Sequence, residues 1–585
     1  MTRPRHDWLL RFMGWALTSA LLCSNCFAGG GAHPERASHA MVVSQQELAS
    51  QAGIAILKAG GNAVDAAVAT GFALAVVLPN AGNIGGGGFM LLRLKNGAAH
   101  FVDFRETAPA LATAKMYQDS QGNVVPNLSV LGFKAIGVPG SVKGLVYAQE
   151  HFGKLTLARV MAPAVLLARN GYALSWDAVR LMNEDKDLTR FADSRRIFQN
   201  DGHGWKPGDL FKQPKLALTL ERIARAPDEF YTGRMAREIA EFIRRGGGLI
   251  TTQDLAHYEV KERQPVRGRY RGAEIISAPP PSSGGTALIE TLNILERFNL
   301  GQAGPGSAKS IHLIAESYRR AFYDRAQFMG DPDSTPIPVS ELIDKEYAKD
   351  WSSSIDDQHP TASLRLQRPS RFPELDLYAR QHPIFGASAE PHHTTHYSVV
   401  DADGNAVAVT TTLNDDYGSR VTIGSLGFVL NNEMDDFAAK PGVPNIYGLI
   451  QGEANAVGPN KRPLSAMAPT IVLKDGQLWL VLGAEGGPTI ITSVANILIG
   501  VRDYGLDIQE AVNAPRIHQQ WLPDRIELEK NLFSPDTVHL LQHAGYEVTP
   551  PDIDGDAECI AIDLATGTRM GASDARNESG RAVGY

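Results

Sequence analysis

The sequence predicts a large protein of the α+β class, because its helix and strand signals lie in different parts of the chain. Residues 47–77 and 140–260 have the apolar spacing, caps and glycine stops that are typical of helices. The strongest strand signal comes later, at residues 394–413, where two alternating runs flank a turn. With 585 residues the chain can bury a large core.

Two helices are predicted near the start of the chain. Ser44-Gln45-Gln46-Glu47 fits a capping box, and the helix that it opens is expected to end at Gly60-Gly61. Asn62 is predicted to cap a second helix from Ala63 to Val77. The glycine cluster that follows, residues 85–88, matches no nucleotide-binding motif, so close backbone packing is the better interpretation.

Composition limits the classes of partner and the compartment. A formal net charge of -8 argues against a surface that binds nucleic acid. Residues 1–28 combine early arginines, a short apolar run and a small-x-small site, which predicts a signal peptide for export to the periplasm or beyond; a membrane anchor is the alternative. No later stretch is apolar enough to span a bilayer, so we expect no stable membrane anchor. Removal of that segment would leave Cys559 alone, in an apolar run that favours a buried structural thiol.

A predicted hairpin carries the candidate chemistry. Residues 394–400 form its first strand, residues 401–404 the turn and residues 405–413 the return strand. If Gly404 adopts the left-handed conformation, Thr412 lies opposite Thr394 on the same face, although a slip of one residue is an alternative register. Residues 355–393, rich in Pro, Ser, His and charge, are predicted to be an exposed connector that leads into this strand.

Two hydroxyls at the start of a strand suit an N-terminal nucleophile. A threonine hydroxyl needs a base, and a threonine at a new chain start has its own α-amine, whose pKa of about 8 is close to working pH. This hypothesis requires cleavage between His393 and Thr394. The alternative is that these threonines only favour strand formation.

Metal sites are poorly supported by the sequence. His392, His393 and His396 lie on an extended segment without a further convergent ligand. Asp401-Ala402-Asp403-Gly404 resembles a calcium loop only superficially, because the glycine comes too early and no closing glutamate follows. We therefore predict no metal and no cofactor.

Ordered sequence blocks resemble those of the γ-glutamyltranspeptidases, also called glutathione hydrolases. They extend over essentially the whole chain after the signal segment and comprise Gly61–Ala67, Asn83–Phe89, Asp103–Glu106, Gly137–Gly140, Pro279–Gly285, Thr394–Asp401, Asn431–Phe437, Lys461–Ser465, Gly486-Gly487 and Gly584-Tyr585. The resemblance implies an N-terminal-nucleophile hydrolase fold, a four-layer αββα sandwich. It also implies that one precursor cuts itself into a large subunit, residues 29–393, and a small subunit, residues 394–585.

The same resemblance implies a role for each matching residue. Thr394 would be the nucleophile, Thr412 would hydrogen-bond its freed amine, and Gly486 and Gly487 would stabilise the oxyanion through backbone N–H groups. Arg105, with Ser465 and the residue after it, would bind the substrate α-carboxylate. Asp436, Asn414 and Glu433 would accept the α-ammonium, and Tyr447 would belong to a lid loop at residues 438–452.

Two features depart from the family or lack a role. Ala466 stands where the family usually has a second serine, so one hydroxyl that would bind the carboxylate is missing. The acidic pair Asp415-Asp416 lies close to the site and is expected to influence the choice of acceptor.

The implied substrates are small γ-glutamyl donors such as glutathione, with water, amino acids or peptides as acceptors. An acylase for glutaryl-type side chains is the nearest alternative activity. A non-catalytic exported binding protein is the alternative from another class.

Overall fold

Two antiparallel seven-stranded sheets form the centre of the computed structural model, which describes residues 33–381, 394–550 and 555–585. Sheet I contains the predicted hairpin, and its strands lie in the order Arg581–Gly584, Met41–Ser44, Thr395–Val400, Ala406–Thr412, Gly87–Arg93, Ala99–Phe104 and Lys261–Arg263. Sheet II has the order Glu35–Ala37, Arg569–Ser573, Glu558–Ile562, Gln477–Leu482, Thr470–Lys474, Ala273–Ser277 and Val266–Tyr270.

Alternating apolar side chains place sheet I between two cores. Met90 and Leu92 belong to a core with helices Glu47–Lys58 and Ala63–Val77, whereas Phe89 and Leu91 belong to the core shared with sheet II. On the other side of sheet II, helices Gly284–Leu295 and Ile508–Asn513 pack against its strands. The order helix, sheet, sheet, helix confirms the predicted αββα sandwich.

The helix caps confirm one prediction and correct another. Asn62 caps the helix Ala63–Val77 by accepting hydrogen bonds from the N–H groups of Val64 and Asp65, both at 3.0 Å. The cap predicted at Ser44 is wrong. Ser44 ends a strand of sheet I, and Gln46 caps the helix instead. The cap lies later in the chain because the residues up to Ser44 pair with the neighbouring strand.

The connector predicted at residues 355–393 is exposed or half-buried at most of its described positions, as predicted, but it is not without structure. Helix Pro373–Gln381 lies within it, and Leu366 and Leu375 are buried in the core around sheet II. The residues on the amino-terminal side of Thr394, numbers 382–393 with His392 and His393, lie outside the described part of the chain.

The remaining helices surround the two sheets, and those between residues 140 and 260 confirm the helical prediction for that region. They are Ser141–Phe152, Leu157–Asn170, Trp176–Glu184, Ala192–Phe198, Pro214–Arg225, Arg234–Arg245, Thr252–Ala256, Leu300–Ala303, Ala308–Phe328, Val339–Leu342, Lys345–Ser353, Thr489–Asp503 and Pro535–Ala544. Short strands pair in three smaller sheets: Thr422–Ile423 with Phe428–Val429, Tyr172–Ala173 with Leu210–Phe211, and Ile517–His518, Ile526–Leu528 and Val548–Thr549. None of the helices in the described ranges is long and apolar enough to cross a membrane.

Candidate active site

The predicted hairpin brings the two threonines together. Thr395 pairs with Thr411, so Thr394 lies opposite Thr412, and Gly404 has the positive φ of 85° that the turn requires. The Oγ1 atoms of Thr394 and Thr412 are 3.3 Å apart and buried. Thr412 Oγ1 also accepts a hydrogen bond from the Asn414 N–H at 2.8 Å, which fixes the orientation of its side chain.

Asn83 holds the return strand in place, a role that the sequence analysis missed. Its Nδ2 donates to the Thr412 carbonyl at 2.8 Å, and its Oδ1 accepts from the Gly86 N–H at 2.9 Å. A side chain at Gly86 would collide with the Thr412 carbonyl, so this glycine allows the two backbones to approach closely. The glycine cluster therefore packs backbone against backbone, as predicted.

Gly486 and Gly487 precede the helix Thr489–Asp503, whose N-terminus favours negative charge. Both have positive φ, 112° and 58°, which favours glycine. Within the described ranges neither backbone N–H has an acceptor. Gly487 lines the cavity that Thr394 and Thr412 also line, and the role of its N–H as an oxyanion donor stays a prediction.

Arg105 is fully buried in a network of carboxylates. Its Nη1 forms an ion pair with Glu433 and lies 3.6 Å from Glu106, and its Nη2 forms an ion pair with Asp436. Its Nε donates to the Pro463 carbonyl at 3.2 Å. The structure thus brings together the residues expected to bind the carboxylate and the ammonium, and it pairs them with one another.

The surroundings of Arg105 alter the acidity of two carboxyls. Burial raises the pKa of Glu106 to about 7, although the charge of Arg105 opposes this change. Burial also raises the pKa of Glu433 well above its usual range, again against the field of Arg105. The site can therefore gain negative charge near neutral pH.

Ser465 and Ala466 lie on another wall of the same cavity. Ser465 Oγ accepts from the Met467 N–H at 3.0 Å, so its own proton can be donated to a ligand. Ala466 is buried, with 8% of its surface exposed, and its side chain offers no donor. A serine hydroxyl at position 466, which this chain lacks, would therefore lie at the wall of the pocket.

Tyr447, from the loop at residues 438–452, lines the cavity. Its hydroxyl is 2.7 Å from both the carbonyl oxygen and Oδ1 of Asn414, and its ring lies close to Gly487. The cavity is partly open and has a volume of about 20 Å³, room for roughly one water molecule. The role of this loop as a lid stays a prediction.

The cavity collects most of the predicted site residues and adds one charged residue that was not predicted, Arg325, together with apolar neighbours. Gly486 adjoins it, and Glu106 lies behind Arg105. Its lining is Arg105, Arg325, Thr394, Thr412, Asn414, Glu433, Asp436, Tyr447, Leu449, Ser465, Ala466, Met467, Gly487, Pro488 and Ile490.

The acidic pair is tied to neighbouring side chains. Asp415 forms an ion pair with Arg420, and Asp416 accepts a hydrogen bond from Asn80 Nδ2 at 2.9 Å. The positive charge of Arg420 thereby compensates the negative charge of Asp415. The expected influence of this pair on acceptors stays a prediction.

His396 and Cys559 have structural surroundings. The His396 ring contacts the hydroxyls of Thr410 and Ser398 at 2.8 and 3.2 Å, and burial lowers its pKa to about 3. Cys559 is buried in a sheet II strand, and burial raises its pKa to about 12, which confirms the expectation of a buried thiol. Among the described residues no group of three or more His, Cys, Asp or Glu side chains could hold a metal ion.

Known proteins share this fold and sequence over nearly their whole length. The chain is 46% identical to the glutathione hydrolase proenzyme of Escherichia coli strain K12, with 98% of this chain and 99% of the relative covered. The cephalosporin acylase of Bacillus halodurans matches 96% of this chain and 98% of its own, at 25% identity and a TM-score of 0.82. The solved γ-glutamyltranspeptidase chain of Helicobacter pylori is 46% identical, matches 55% of this chain and 93% of its own, and has a TM-score of 0.54.

The family assignment rests on sequence over almost the full length. The sequence model of the Gamma-glutamyltranspeptidase family matches residues 49–584. The match includes both strands of the hairpin and every predicted site residue that the structure brings to the cavity. The chain therefore belongs to the gamma-glutamyltranspeptidase family.

Proposed function

We propose that this protein is a self-cleaving γ-glutamyl hydrolase and transferase that acts on glutathione and other γ-glutamyl amides. One observation carries the proposal. Thr394 Oγ1, 3.3 Å from Thr412 Oγ1, lies on the same small cavity as Arg105, Asp436 and Gly487. That cavity therefore combines a nucleophile, an oxyanion donor and charges of both signs for an amino-acid head group.

Maturation would use the nucleophile on its own chain. The Thr394 hydroxyl attacks the His393 carbonyl, and the peptide C–N bond then breaks, which frees the Thr394 amine and leaves an ester. Water hydrolyses that ester, which restores the Thr394 hydroxyl, leaves a carboxylate on His393 and separates the two chains. The products would be subunits 29–393 and 394–585, and they remain partners because sheet I contains strands from both. The solved Helicobacter pylori chain covers 55% of this chain and is itself matched over 93% of its length, which is compatible with such a division. The predicted signal peptide would export the precursor before or during this step.

Turnover would repeat this chemistry on the substrate. The free α-amine of Thr394 takes the hydroxyl proton as Oγ1 attacks the γ-carbonyl carbon. The N–H groups of Gly486 and Gly487 stabilise the oxyanion, the C–N bond breaks, and the amine leaves with a proton. Water or an amino group then attacks the glutamyl ester and restores the hydroxyl. Thr412 would orient the freed amine throughout.

Substrate recognition would separate the ion pairs around Arg105. The α-carboxylate of the donor replaces Asp436 or Glu433 on the guanidinium, and the displaced carboxylates, with Asn414, receive the α-ammonium. Ser465 contributes its hydroxyl proton. A glutaryl-type acylase is the second candidate function, because a solved cephalosporin acylase has the same fold. Asp436 nevertheless favours a donor with an ammonium group.

Purified protein should release cysteinylglycine and glutamate from glutathione, and should form a new γ-glutamyl peptide when glycylglycine is added. Chromatography of the products over time would measure both reactions. Failure to consume glutathione or any other γ-glutamyl amide, in protein already cut at Thr394, would contradict the proposal.

The apparent affinity for γ-glutamyl donors should rise with pH. As the pH rises through about 7, Glu106 ionises and adds negative charge beside the group that receives the donor ammonium. We expect KM for γ-glutamyl-p-nitroanilide to fall by about five- to tenfold between pH 6 and 8, which corresponds to about 1–1.4 kcal/mol.

Two controls separate this effect from ionisation of the Thr394 amine. Glutaryl-p-nitroanilide lacks the ammonium, so its KM should not fall over the same range. Glu106→Gln should flatten the KM profile of the γ-glutamyl substrate. A KM that falls equally in the Gln variant would contradict the assignment to Glu106.

Ala466→Ser should restore the missing hydroxyl donor. Because the carboxylate is bound in the ground state and the transition state alike, KM for γ-glutamyl-p-nitroanilide should fall about tenfold with little change in kcat. Steady-state kinetics would measure both constants. An unchanged or higher KM would mean that the pocket already satisfies the carboxylate without this group.

A further inference from the structure

Arg325 differs from the other buried arginines of this protein. Among the described residues six arginines are buried. Five of them lie within salt-bridge distance of a carboxylate: Arg105, Arg319, Arg320, Arg462 and Arg516. Arg325 has no such partner in the described ranges, and its Nη1 has no hydrogen-bond acceptor there. An unpaired buried charge is costly, so the surroundings of Arg325 suit an anion that is not part of the chain.

The position of Arg325 indicates which anion it would meet. It lies in the last turn of helix Ala308–Phe328 and lines the same cavity as Thr394 and Arg105. Its Nε donates to Ser283 Oγ at 2.8 Å, and that hydroxyl donates to the Ser465 carbonyl at 2.7 Å. The guanidinium is thus tethered to the wall where Ala466 lacks a hydroxyl.

The pKa of Arg325 agrees with a buried cation that lacks an anionic partner. Burial lowers the pKa of Arg325 to about 10, and the field of Asp436 offsets only part of this effect. Arg105, by contrast, already pairs with the carboxylates of Glu433 and Asp436, and Glu106 lies 3.6 Å from its Nη1. When a zwitterionic donor enters, its ammonium can pair with one of those carboxylates, while its α-carboxylate can reach a second cation.

We propose that Arg325 is a substrate-binding residue that pairs, together with Arg105, with the α-carboxylate of the γ-glutamyl group. The proposal rests on the proposed function for the identity of the donor. Arg325 supplies a charged donor on the Ser465–Ala466 side of the pocket, where this chain has one hydroxyl fewer than its family pattern. It touches the substrate head group and takes no part in bond breaking, so its loss affects binding before it affects chemistry.

The test compares ligands with and without the α-carboxylate in mature, self-cleaved protein. L-glutamate and 4-aminobutyrate share an ammonium and the distal carboxylate, and only L-glutamate has the α-carboxylate. Arg325→Gln should weaken L-glutamate binding about 10- to 100-fold in calorimetry and change 4-aminobutyrate binding by less than about threefold. KM for γ-glutamyl-p-nitroanilide should rise in parallel, with kcat nearly constant.

Further variants separate binding from folding. Arg325→Lys keeps the charge and should recover part of the affinity, and Ser283→Ala should produce a smaller loss with the same ligand selectivity. Arg320→Lys alters a buried arginine on the same helix that pairs with Glu316, so it should shift stability without discriminating between the ligands. If Arg325→Gln does not fold, the Lys and Ser283 variants decide the question.

The two proposals fail in different ways. Equal losses for L-glutamate and 4-aminobutyrate, or unchanged L-glutamate binding, would overturn the role of Arg325 even if the wild type consumes glutathione. Selective loss of L-glutamate binding in a protein that turns over no γ-glutamyl amide would support Arg325 and refute the proposed function.

Discussion

Replacing Thr394 with alanine should leave the purified protein as a single chain with no measurable turnover. The same hydroxyl would attack the preceding carbonyl in maturation and the substrate carbonyl in turnover, so both reactions are lost together. We expect anilide hydrolysis to fall by at least about 10⁴-fold. A denaturing gel and a p-nitroanilide assay on the same preparation would measure the two effects.

Neighbouring threonines provide the controls. Thr394→Ser keeps a hydroxyl and should still self-cleave, more slowly. Thr395 points to the opposite face of the strand, so Thr395→Ala should cut and turn over substrate. An alanine variant at 394 that separates into two chains without added protease would refute this role for Thr394.

Wild-type enzyme should prefer γ-glutamyl-p-nitroanilide to glutaryl-p-nitroanilide by at least about a hundredfold in kcat/KM. The glutaryl substrate can occupy Arg105 but leaves the displaced carboxylates without the ammonium that would pair with them. An unpaired buried carboxylate costs several kcal/mol, on the order of this discrimination.

Asp436→Asn should shrink the preference mainly by damaging the γ-glutamyl reaction. The glutaryl reaction serves as the internal control, because it does not use the lost charge. Equal rates on the two anilides with the wild-type enzyme would favour the acylase and leave the assignment of the nucleophile intact.

Local sequence was sufficient where the determinants are close in the chain. The register of the hairpin follows from the Asp401–Gly404 turn and the alternation on either side of it. The helix Ala63–Val77 follows from Asn62, whose capping partners are two and three residues away. The four layers, the nucleophile and the roles of most pocket residues came from the resemblance to the family.

Long-range contacts decided the rest. The sequence around Ser44 is typical of a helix cap. In the structure Ser44 belongs instead to a strand of sheet I, where it pairs with Tyr397. The pairing of Arg105 with Glu433 and Asp436 joins residues more than three hundred positions apart in the chain. Arg325 lies inside a helix pattern with no local feature that separates it from Arg319 and Arg320, so its exposure to the pocket is visible only in the fold.

The most direct test of the account is to locate the glutamyl group during turnover. Protein mixed with γ-glutamyl-p-nitroanilide, quenched rapidly in acid and analysed by intact-mass and peptide mass spectrometry should show two chains. The smaller should begin at Thr394 and carry one additional glutamyl group on that residue. A glutamyl group on another residue, or turnover by a chain that remains uncut, would contradict the proposal that Thr394 is the N-terminal nucleophile.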